Sequence, residues 1–125
     1  MSIFNGKNVL VTGAAGICGH AALKKLLNIE DVKIRATLFT TRDINISHPN
    51  LEIVNADLSV YEDCQRVVKD IDIVLNFAAF IRGAKGQEDS KIDLVRNNIV
   101  PTINMLDASV REGVEYFGFI GSSTM

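Results

Sequence analysis

The sequence lacks the features that would place it in several broad classes of protein. It has only two cysteines, Cys18 and Cys64, which is too few for a disulfide framework; this favours a reducing compartment, and we expect a cytoplasmic protein. Its 13 basic and 15 acidic residues leave a net charge of −2, so no nucleic-acid partner is expected. The first residues contain no apolar signal core, and no later apolar run reaches membrane-spanning length, so no membrane partner is expected either.

The chain has enough length and apolar content to form a folded domain. It contains 125 residues, of which 47% are hydrophobic and 22% charged, a composition that excludes intrinsic disorder and allows a buried core. No internal repeat, low-complexity tract or domain boundary interrupts it, so residues 1–125 are predicted to form one domain. No H-x-x-x-H, C-x-x-C or paired-carboxylate pattern points to a metal ion.

Short apolar runs alternate with turn residues and amphipathic stretches along the chain. Five runs are predicted to be strands: residues 8–12, 34–39, 51–54, 71–77 and 116–120. Helices are predicted at 21–28, after Ser59, and along the apolar positions between 92 and 110, with Gly113 ending the last of them. The order is βαββαβαβ, or βαβαβαβαβ if residues 41–49 contain a short helix. This alternation predicts an α/β fold whose parallel strands are joined by right-handed crossovers.

The start of the second helix carries a specific capping signal. Ser59 and Glu62 have the spacing of a capping box, so we expect Ser59 to cap the helix and Glu62 to reach back to it. The apolar residues that follow are predicted to form its buried stripe: Val60, Cys64, Val67 and Val68.

A glycine-rich segment, TGAAGICG, lies between the first predicted strand and the first predicted helix. Its glycines, Gly13, Gly16 and Gly19, follow the pattern G-x-x-G-x-x-G. Gly13 would allow a tight turn, Gly16 would let a pyrophosphate approach the backbone, and Gly19 would let the helix pack closely on the strand. The N–H groups at the positive end of the helix would bind the phosphates. The alternative is a packing turn that binds no ligand.

Five segments of the chain resemble the extended branch of the short-chain dehydrogenase/reductase family, the NAD(P)-dependent nucleotide-sugar epimerases and dehydratases. Besides the glycine-rich segment, they are NADL at 55–58, NFAA at 76–79, NIVPT at 98–102 and GSS at 121–123. In order, they are similar to the family's adenine site, the end of its fourth strand, the N-V-x-G-T of its fourth helix and its catalytic serine segment. The resemblance covers nearly the whole chain and implies a Rossmann-type, doubly wound parallel sheet with helices on both faces.

The resemblance also implies which residues contact a dinucleotide. Backbone N–H groups of Ile17 and Cys18 would hold the pyrophosphate, while the Cys18 side chain, like that of Cys64, is predicted to be a small buried hydrophobe. Asp57 would accept a hydrogen bond from the adenine amino group, with Leu58 against the ring; the alternative is a turn aspartate ahead of Ser59. The remaining cofactor-binding candidates follow the fourth strand or lie in the long helix: Phe77, Ala78, Ala79 and Asn98.

The end of the second strand would choose between the two nicotinamide cofactors. An acidic residue there would bind the 2′-hydroxyl of NAD, but the chain reads FTTRD and has no acid before Asp43. Thr40 can donate a hydrogen bond and Arg42 can pair with a 2′-phosphate. These residues favour NADP, with NAD as the alternative, unless Arg42 and Asp43 only solvate a loop.

The long helix contains a proline beside its candidate polar residue. Pro101 has no N–H to bond the carbonyl of Asn97, and an interior proline usually kinks a helix. The family pattern usually has glycine at this place. We hypothesise that carbonyls near Asn97 and Asn98 are freed to hold a water or a cofactor group; the alternative is a kink that only fits the helix to the sheet.

The catalytic residues of the family are only partly present. By the resemblance, Ser122, with Ser123 as second choice, would hydrogen-bond the reacting oxygen of the substrate. The family's general acid/base is the tyrosine of Y-x-x-x-K, but neither Tyr61 nor Tyr116 has a lysine four residues later. The chain is therefore interpreted as the N-terminal, cofactor-binding part of a longer enzyme, able to bind a dinucleotide but not to turn over substrate.

The resemblance implies an NAD(P)-dependent enzyme that transfers hydride on a nucleotide-activated sugar, giving epimerisation, dehydration or reduction, and we expect a homodimer. Two alternatives stay open: a non-catalytic NADP-sensing regulator of the same fold, and a reductase of small carbonyls or steroid-like alcohols.

Overall fold

The computed structural model describes residues 3–14, 16–38, 46–77 and 91–119, and at positions 17, 91–99 and 119 it describes the backbone alone. The strands are β1 (Asn8–Thr12), β2 (Lys33–Leu38), β3 (Leu51–Asn55), β4 (Ile73–Asn76) and β5 (Tyr116–Phe119). The helices are α1 (Ile17–Leu26), α2 (Tyr61–Val68) and α3 (Lys91–Glu112). A further short helix was considered within residues 41–49. Residues 46–49 form no helix, and residues 41–45 lie outside the described residues.

The strands form one parallel sheet in the order β3-β2-β1-β4-β5. This confirms the predicted Rossmann-type architecture. The chain runs outward from β1 to β3 and then crosses back to β4 on the other side of β1. The carboxyl ends of β1 and β4 therefore flank the point where the strand order reverses, which is where open α/β sheets bind their ligands.

The core consists of two apolar layers, one on each face of the sheet. Alternate residues of β1 point to opposite faces, so Val9 and Val11 belong to one layer and Leu10 to the other. The first layer includes Leu23 and Leu26 of α1. The second includes side chains from both other helices: Cys64, Val67, Val68, Met105 and Ala108. The sheet is thus covered by helices on both faces, as predicted, and its central strands are apolar on both sides.

The predicted capping box of the second helix is wrong. The helix begins at Tyr61, its N-cap residue is Val60, and no side chain caps it. The Ser59 hydroxyl instead donates to Asp57 Oδ1 at 2.6 Å, a charge-assisted bond that holds Ser59 in the turn before the helix. Val60 is 41% exposed and so lies outside the buried stripe, which contains the other three predicted residues.

The last helix ends as predicted but turns part of its apolar surface outward. Gly113 has φ 84, and its N–H bonds the carbonyl of Val110 while the Val114 N–H bonds that of Ser109, a Schellman ending that favours glycine. Met105 is fully buried against the sheet, whereas Ile103 is 57% exposed. Leu106 and Val110 are exposed as well.

Candidate functional site

The glycine-rich segment forms a tight turn directly between β1 and α1. Gly13 has φ 70, a left-handed conformation that favours glycine, and its carbonyl accepts a hydrogen bond from the Gly16 N–H at 3.0 Å. A Cβ on Gly19 would lie 2.1 Å from the Gly13 carbonyl oxygen. The close packing of α1 against the end of β1 therefore requires a residue without a side chain at position 19.

The amino end of α1 is open toward the carboxyl edge of the sheet. Gly16 is the N-cap residue, no side chain caps the helix, and no acidic residue lies in its first turn. The first N–H groups of a helix lack acceptors within it, so those of Ile17 and Cys18 remain available at a positive dipole end whose own first turn contains no carboxylate. A Cβ on Gly16 would meet the Gly13 oxygen at 3.4 Å, so this position needs glycine less for packing than position 19 does.

The two cysteines have opposite environments. Cys64 is buried, as predicted, whereas Cys18 is exposed, and the prediction that Cys18 is a buried hydrophobe is wrong. The reason is its place in the first turn of α1, which the described chain leaves uncovered. Burial raises the pKa of the Cys64 thiol to about 12, and its Sγ donates to the carbonyl of Leu58 at 3.3 Å.

A buried polar pair lies at the point where the strand order reverses. Thr12 and Asn76 end β1 and β4 at the same register position, and the Thr12 hydroxyl donates to Asn76 Oδ1. Both residues are buried. The Phe77 N–H then bonds the Thr12 carbonyl at 3.2 Å, which places Phe77, a predicted cofactor-binding residue, at this point.

Asn76 belongs to the site, although in the NFAA motif of the sequence it was given no role. The signal that could have found it is its position: a polar side chain ending a buried strand, opposite a threonine on the neighbouring strand. Such a pair fixes the floor of the crevice because the hydrogen bond ties the ends of the two strands together inside the sheet.

The β3–α2 loop (residues 56–60) lies at the same edge of the sheet. Asp57 is half-buried, and its Oδ1 accepts both the N–H and the hydroxyl of Ser59. Among the described residues no hydrogen-bond donor reaches its Oδ2. The turn role and the predicted adenine contact thus use different oxygens of one carboxylate.

Leu58, the other predicted adenine contact, is 8% exposed and belongs to the apolar layer under α2 and α3. Its main contacts are therefore with the core.

Both neighbouring helices contact the β3–α2 loop. Asp63 on α2 accepts the Asp57 N–H at 2.9 Å, and this hydrogen bond, followed by Arg66, lowers the pKa of the Asp63 carboxyl below its ordinary value. Asn104 on α3 donates from Nδ2 to the Leu58 carbonyl at 3.0 Å. The sequence pattern pointed to neither residue: Asn104 acts on a segment 46 residues away, and no motif marks the bond between Asp63 and the Asp57 N–H.

The remaining predicted residues are located only in part. Asn98 lies in α3, whose helix continues through Pro101, so the hypothesis about freed carbonyls stays a prediction. Six candidates lie outside the described residues: Thr40, Arg42, Ala78, Ala79, Ser122 and Ser123.

An open cleft of about 380 Å³ lies at the opposite, amino-terminal edge of the sheet, where Asn8, Arg35 and Asp70 are among its lining residues. Arg35 is already bonded there to the Glu52 carboxylate and to the carbonyls of Val67 and Lys69. A cleft whose main cation is satisfied, on the side away from the open helix end, is a poor candidate for the functional site.

The described ranges contain neither a candidate metal site nor a candidate membrane-spanning helix. Those residues contain no cluster of three or more His, Cys, Asp or Glu that could hold a metal ion. None of the helices in the same ranges is both long and apolar enough to cross a membrane.

Comparison with known proteins identifies relatives along nearly the whole chain. The family described as the NAD dependent epimerase/dehydratase family matches residues 9–125. A UDP-N-acetylglucosamine 4,6-dehydratase (inverting) from Campylobacter jejuni is 29% identical over 121 residues, which is 90% of this chain and 35% of that protein. A 3 beta-hydroxysteroid dehydrogenase/Delta 5-->4-isomerase from Mycobacterium tuberculosis is 28% identical over 124 residues, 94% of this chain and 32% of that protein.

The fold is also shared with solved structures. The epimerase Mth375 from Methanothermobacter thermautotrophicus superposes with a TM-score of 0.82 at 28% identity, covering 96% of this chain and 36% of that one. The chain therefore spans about a third of the length of the relatives that it matches.

Proposed function

Because this chain belongs to the NAD-dependent epimerase/dehydratase family, we propose that it is the dinucleotide-binding part of an enzyme that acts on a nucleotide-activated sugar. The nicotinamide supplies a reversible hydride acceptor when bound. Residues 1–125 would supply the N-terminal cofactor-binding region, and the rest of the substrate site would come from elsewhere in the enzyme.

The observation that carries this proposal is the open amino end of α1 behind the Gly13 turn. Uncapped N–H groups at a helix start whose first turn has no acidic residue form a site for a diphosphate. Gly16 leaves room for that group to approach the backbone, and the N–H groups of Ile17 and Cys18 would bind its oxygens. The neighbouring carboxyl ends of β1 and β4 would direct the bound molecule across the crevice.

We propose NADP as the preferred cofactor, with NAD as the alternative. Support comes from the absence of an acid between Leu38, where β2 ends, and Asp43 in the sequence. Arg42 would pair with the 2′-phosphate and Thr40 would hydrogen-bond it. A carboxylate at this place would repel that phosphate.

In the reaction, Ser122, with Ser123 as the second choice, would hold the substrate oxygen from which a proton is lost. A tyrosine and a lysine outside this chain would move that proton. This chain alone would therefore bind the cofactor and not turn over substrate.

A titration of this chain with NADPH and NADH, followed by the fluorescence of the reduced nicotinamide, tests the binding proposal. We expect saturable binding of both, tighter for NADPH, and loss of the difference in Arg42→Ala. Lys24→Ala, an exposed cation in the last turn of α1, is the matched control and should leave the ratio unchanged. No binding of either ligand would contradict the proposed function, and tighter binding of NADH would contradict only the choice of NADP.

A second candidate is an oxidoreductase that reduces small carbonyls or oxidises steroid-like alcohols; the similarity to the mycobacterial hydroxysteroid dehydrogenase favours the steroid-like substrate. Binding of a uridine diphosphate sugar by the enzyme would support the first candidate, whereas binding of a sterol would support the second.

We also propose a homodimer. The outward apolar residues of α3, Ile103, Leu106 and Val110, would pack against the same residues of a second copy, because an isologous contact needs a self-complementary patch. Sedimentation equilibrium of wild type and Ile103→Asp tests this: the wild type should be dimeric and the variant monomeric, and a monomeric wild type would refute it.

A further inference from the structure

We propose that Asn104 positions the β3–α2 loop for the adenine end of the cofactor and so sets how well the site distinguishes adenine from other bases. The inference rests on the proposed function, because it takes Asp57 as the acceptor for the adenine amino group. Asn104 is a positioning residue in this account and does not touch the cofactor.

The contact joins parts of the chain that are far apart in sequence. Asn104 Nδ2 donates to the carbonyl of Leu58 at 3.0 Å across a separation of 46 residues. This carbonyl belongs to the Leu58–Ser59 peptide, whose N–H donates to Asp57 Oδ1 at 3.0 Å, so the bond fixes the peptide that holds the proposed acceptor. The Cys64 thiol reaches the same carbonyl at 3.3 Å, but a thiol is a weak donor, and the amide supplies the stronger of the two bonds.

The other end of the loop is held by α2 instead. Arg66 Nη2 donates to the Asn55 carbonyl at 3.0 Å, and Asp63 accepts the Asp57 N–H at 2.9 Å. Two helices therefore fix two successive places in the loop. Loss of the Asn104 bond would leave Asn55 and the Asp57 N–H in place. The Leu58 carbonyl would keep only the weaker Cys64 thiol, so the Leu58–Ser59 peptide and the Asp57 side chain bonded to it would be held less firmly.

A less firmly held Asp57 side chain would affect recognition of the adenine base, because only one of its carboxylate oxygens is available to the base. Its Oδ1 is occupied by Ser59, which leaves Oδ2 to accept from a base. Adenine presents a 6-amino donor to such an oxygen, whereas hypoxanthine presents a carbonyl oxygen at the same position. A carboxylate held in place should therefore prefer adenine, and one that can swing away should lose that preference along with part of the affinity.

The test compares NADPH with its hypoxanthine analogue, in which a carbonyl oxygen replaces the 6-amino group and N1 carries a proton. Dissociation constants of both are measured by nicotinamide fluorescence for the full chain; the corresponding NADH pair replaces them if the chain binds NADH more tightly. We expect the wild type to prefer the adenine ligand by at least about 10-fold, the effect of one hydrogen bond to a charged group. Asp57→Asn should abolish most of this preference.

Two variants remove the Asn104 donor in different ways. Asn104→Ala deletes the amide, and Asn104→Asp keeps the side-chain shape at this half-buried position while replacing the donor by an acceptor. Both should lower the preference for the adenine ligand to less than about 3-fold. Ser109→Ala is the matched control, since it removes from the same helix a buried hydroxyl that has no hydrogen-bond partner among the described residues, and it should keep the wild-type preference. Circular dichroism of each variant verifies the fold.

The outcomes separate the two levels of the proposal. A chain that binds neither dinucleotide overturns the proposed function and this inference with it. A wild type without base preference overturns the role of Asp57, and therefore this inference, but leaves dinucleotide binding intact. Equal weakening of both ligands by the Asn104 variants, with an unchanged ratio, would show a merely structural role and overturn the inference alone.

Discussion

The glycine turn between β1 and α1 and the β3–α2 loop lie at the same edge of the sheet, but they keep their shapes through different kinds of contact. The first depends on side chains that are absent: Gly13 takes a left-handed conformation, and Gly19 allows backbone to meet backbone. The second depends on side chains that are present, with Asp63, Arg66 and Asn104 bonding its peptide groups.

This difference affects how each loop tolerates change. A turn shaped by sterics fails when an atom is added, because close backbone packing cannot relax without moving an element. A loop held by several hydrogen bonds loses them one at a time, and each loss is small on its own. The first loop should therefore respond to substitution sharply, and the second gradually.

The largest expected effect is that of Gly19→Ala. Its Cβ would lie 2.1 Å from the Gly13 carbonyl oxygen, so α1 must move from β1, and we expect a loss of about 3 kcal/mol in the free energy of unfolding. Chemical denaturation measures it. Gly118→Ala on β5, whose Cβ would meet only a side-chain atom of Leu75 at 3.6 Å, is the control, and a similar loss in both variants would contradict the steric account.

Gly16→Ala sharpens the comparison by separating fold from binding within one turn. The added Cβ would lie 3.4 Å from the Gly13 oxygen, so the free energy of unfolding should change by about 0.5 kcal/mol or less. Affinity for NADPH should fall by at least about 10-fold, because the methyl group displaces the pyrophosphate from the N–H groups. Unchanged affinity would show that the phosphates do not lie there.

The cysteines offer a chemical comparison, since each lies on a helix beside one of the two loops. Cys18 is exposed beside the glycine turn, whereas burial raises the pKa of the Cys64 thiol, which contacts the β3–α2 loop, to about 12. Because the thiolate is the reactive form, iodoacetamide at pH 8 should alkylate Cys18 and spare Cys64 until the chain unfolds. Peptide mapping by mass spectrometry measures both sites, and Cys18→Ser leaves Cys64 as the single thiol. Alkylation of native Cys64 as fast as Cys18 would contradict its burial.

The smallest expected effect is the pH dependence of stability that comes from Asp63, which holds the β3–α2 loop. The Asp57 N–H lowers the pKa of the Asp63 carboxyl, so Asp63 stabilises the fold fully above its unfolded pKa of about 3.9 and loses this contribution as pH falls through the lower folded pKa. Asp63→Asn should therefore be less stable than wild type near neutral pH, with the difference shrinking below about pH 4.

Denaturation curves across this pH range measure the difference for Asp63→Asn. The neighbouring exposed residue gives the control, Glu62→Gln, whose difference from wild type should stay flat. A difference for Asp63→Asn that persists at low pH would mean that the carboxylate charge plays no part in holding Asp57.

Much of the fold could be predicted because its signals are local. The apolar run of β1 was predicted with the bounds that the structure has, and Gly113 marks the end of α3 as expected. The capping-box prediction at Ser59 failed because the Ser59 hydroxyl donates to the Asp57 carboxylate within the turn and the helix begins only after Val60. Spacing in the sequence cannot show which of these contacts the hydroxyl makes.

The two faces of α3 show the same limit for burial. Periodicity correctly predicted a helix, yet Met105 faces the sheet while Ile103 and Val110 face outward. Several apolar stripes fit one helical period, and which of them meets the sheet depends on how α3 lies beside α2.

The sequence by itself determined the alternation of strands and helices and the shape of the glycine turn, since both follow from the conformations that individual residues favour or allow. Only the tertiary structure decided which helix residues support the β3–α2 loop. Asn104 and Leu58 meet because parallel strands bring distant segments to one edge, and a hydrogen bond between such segments leaves no pattern in the sequence around either of them.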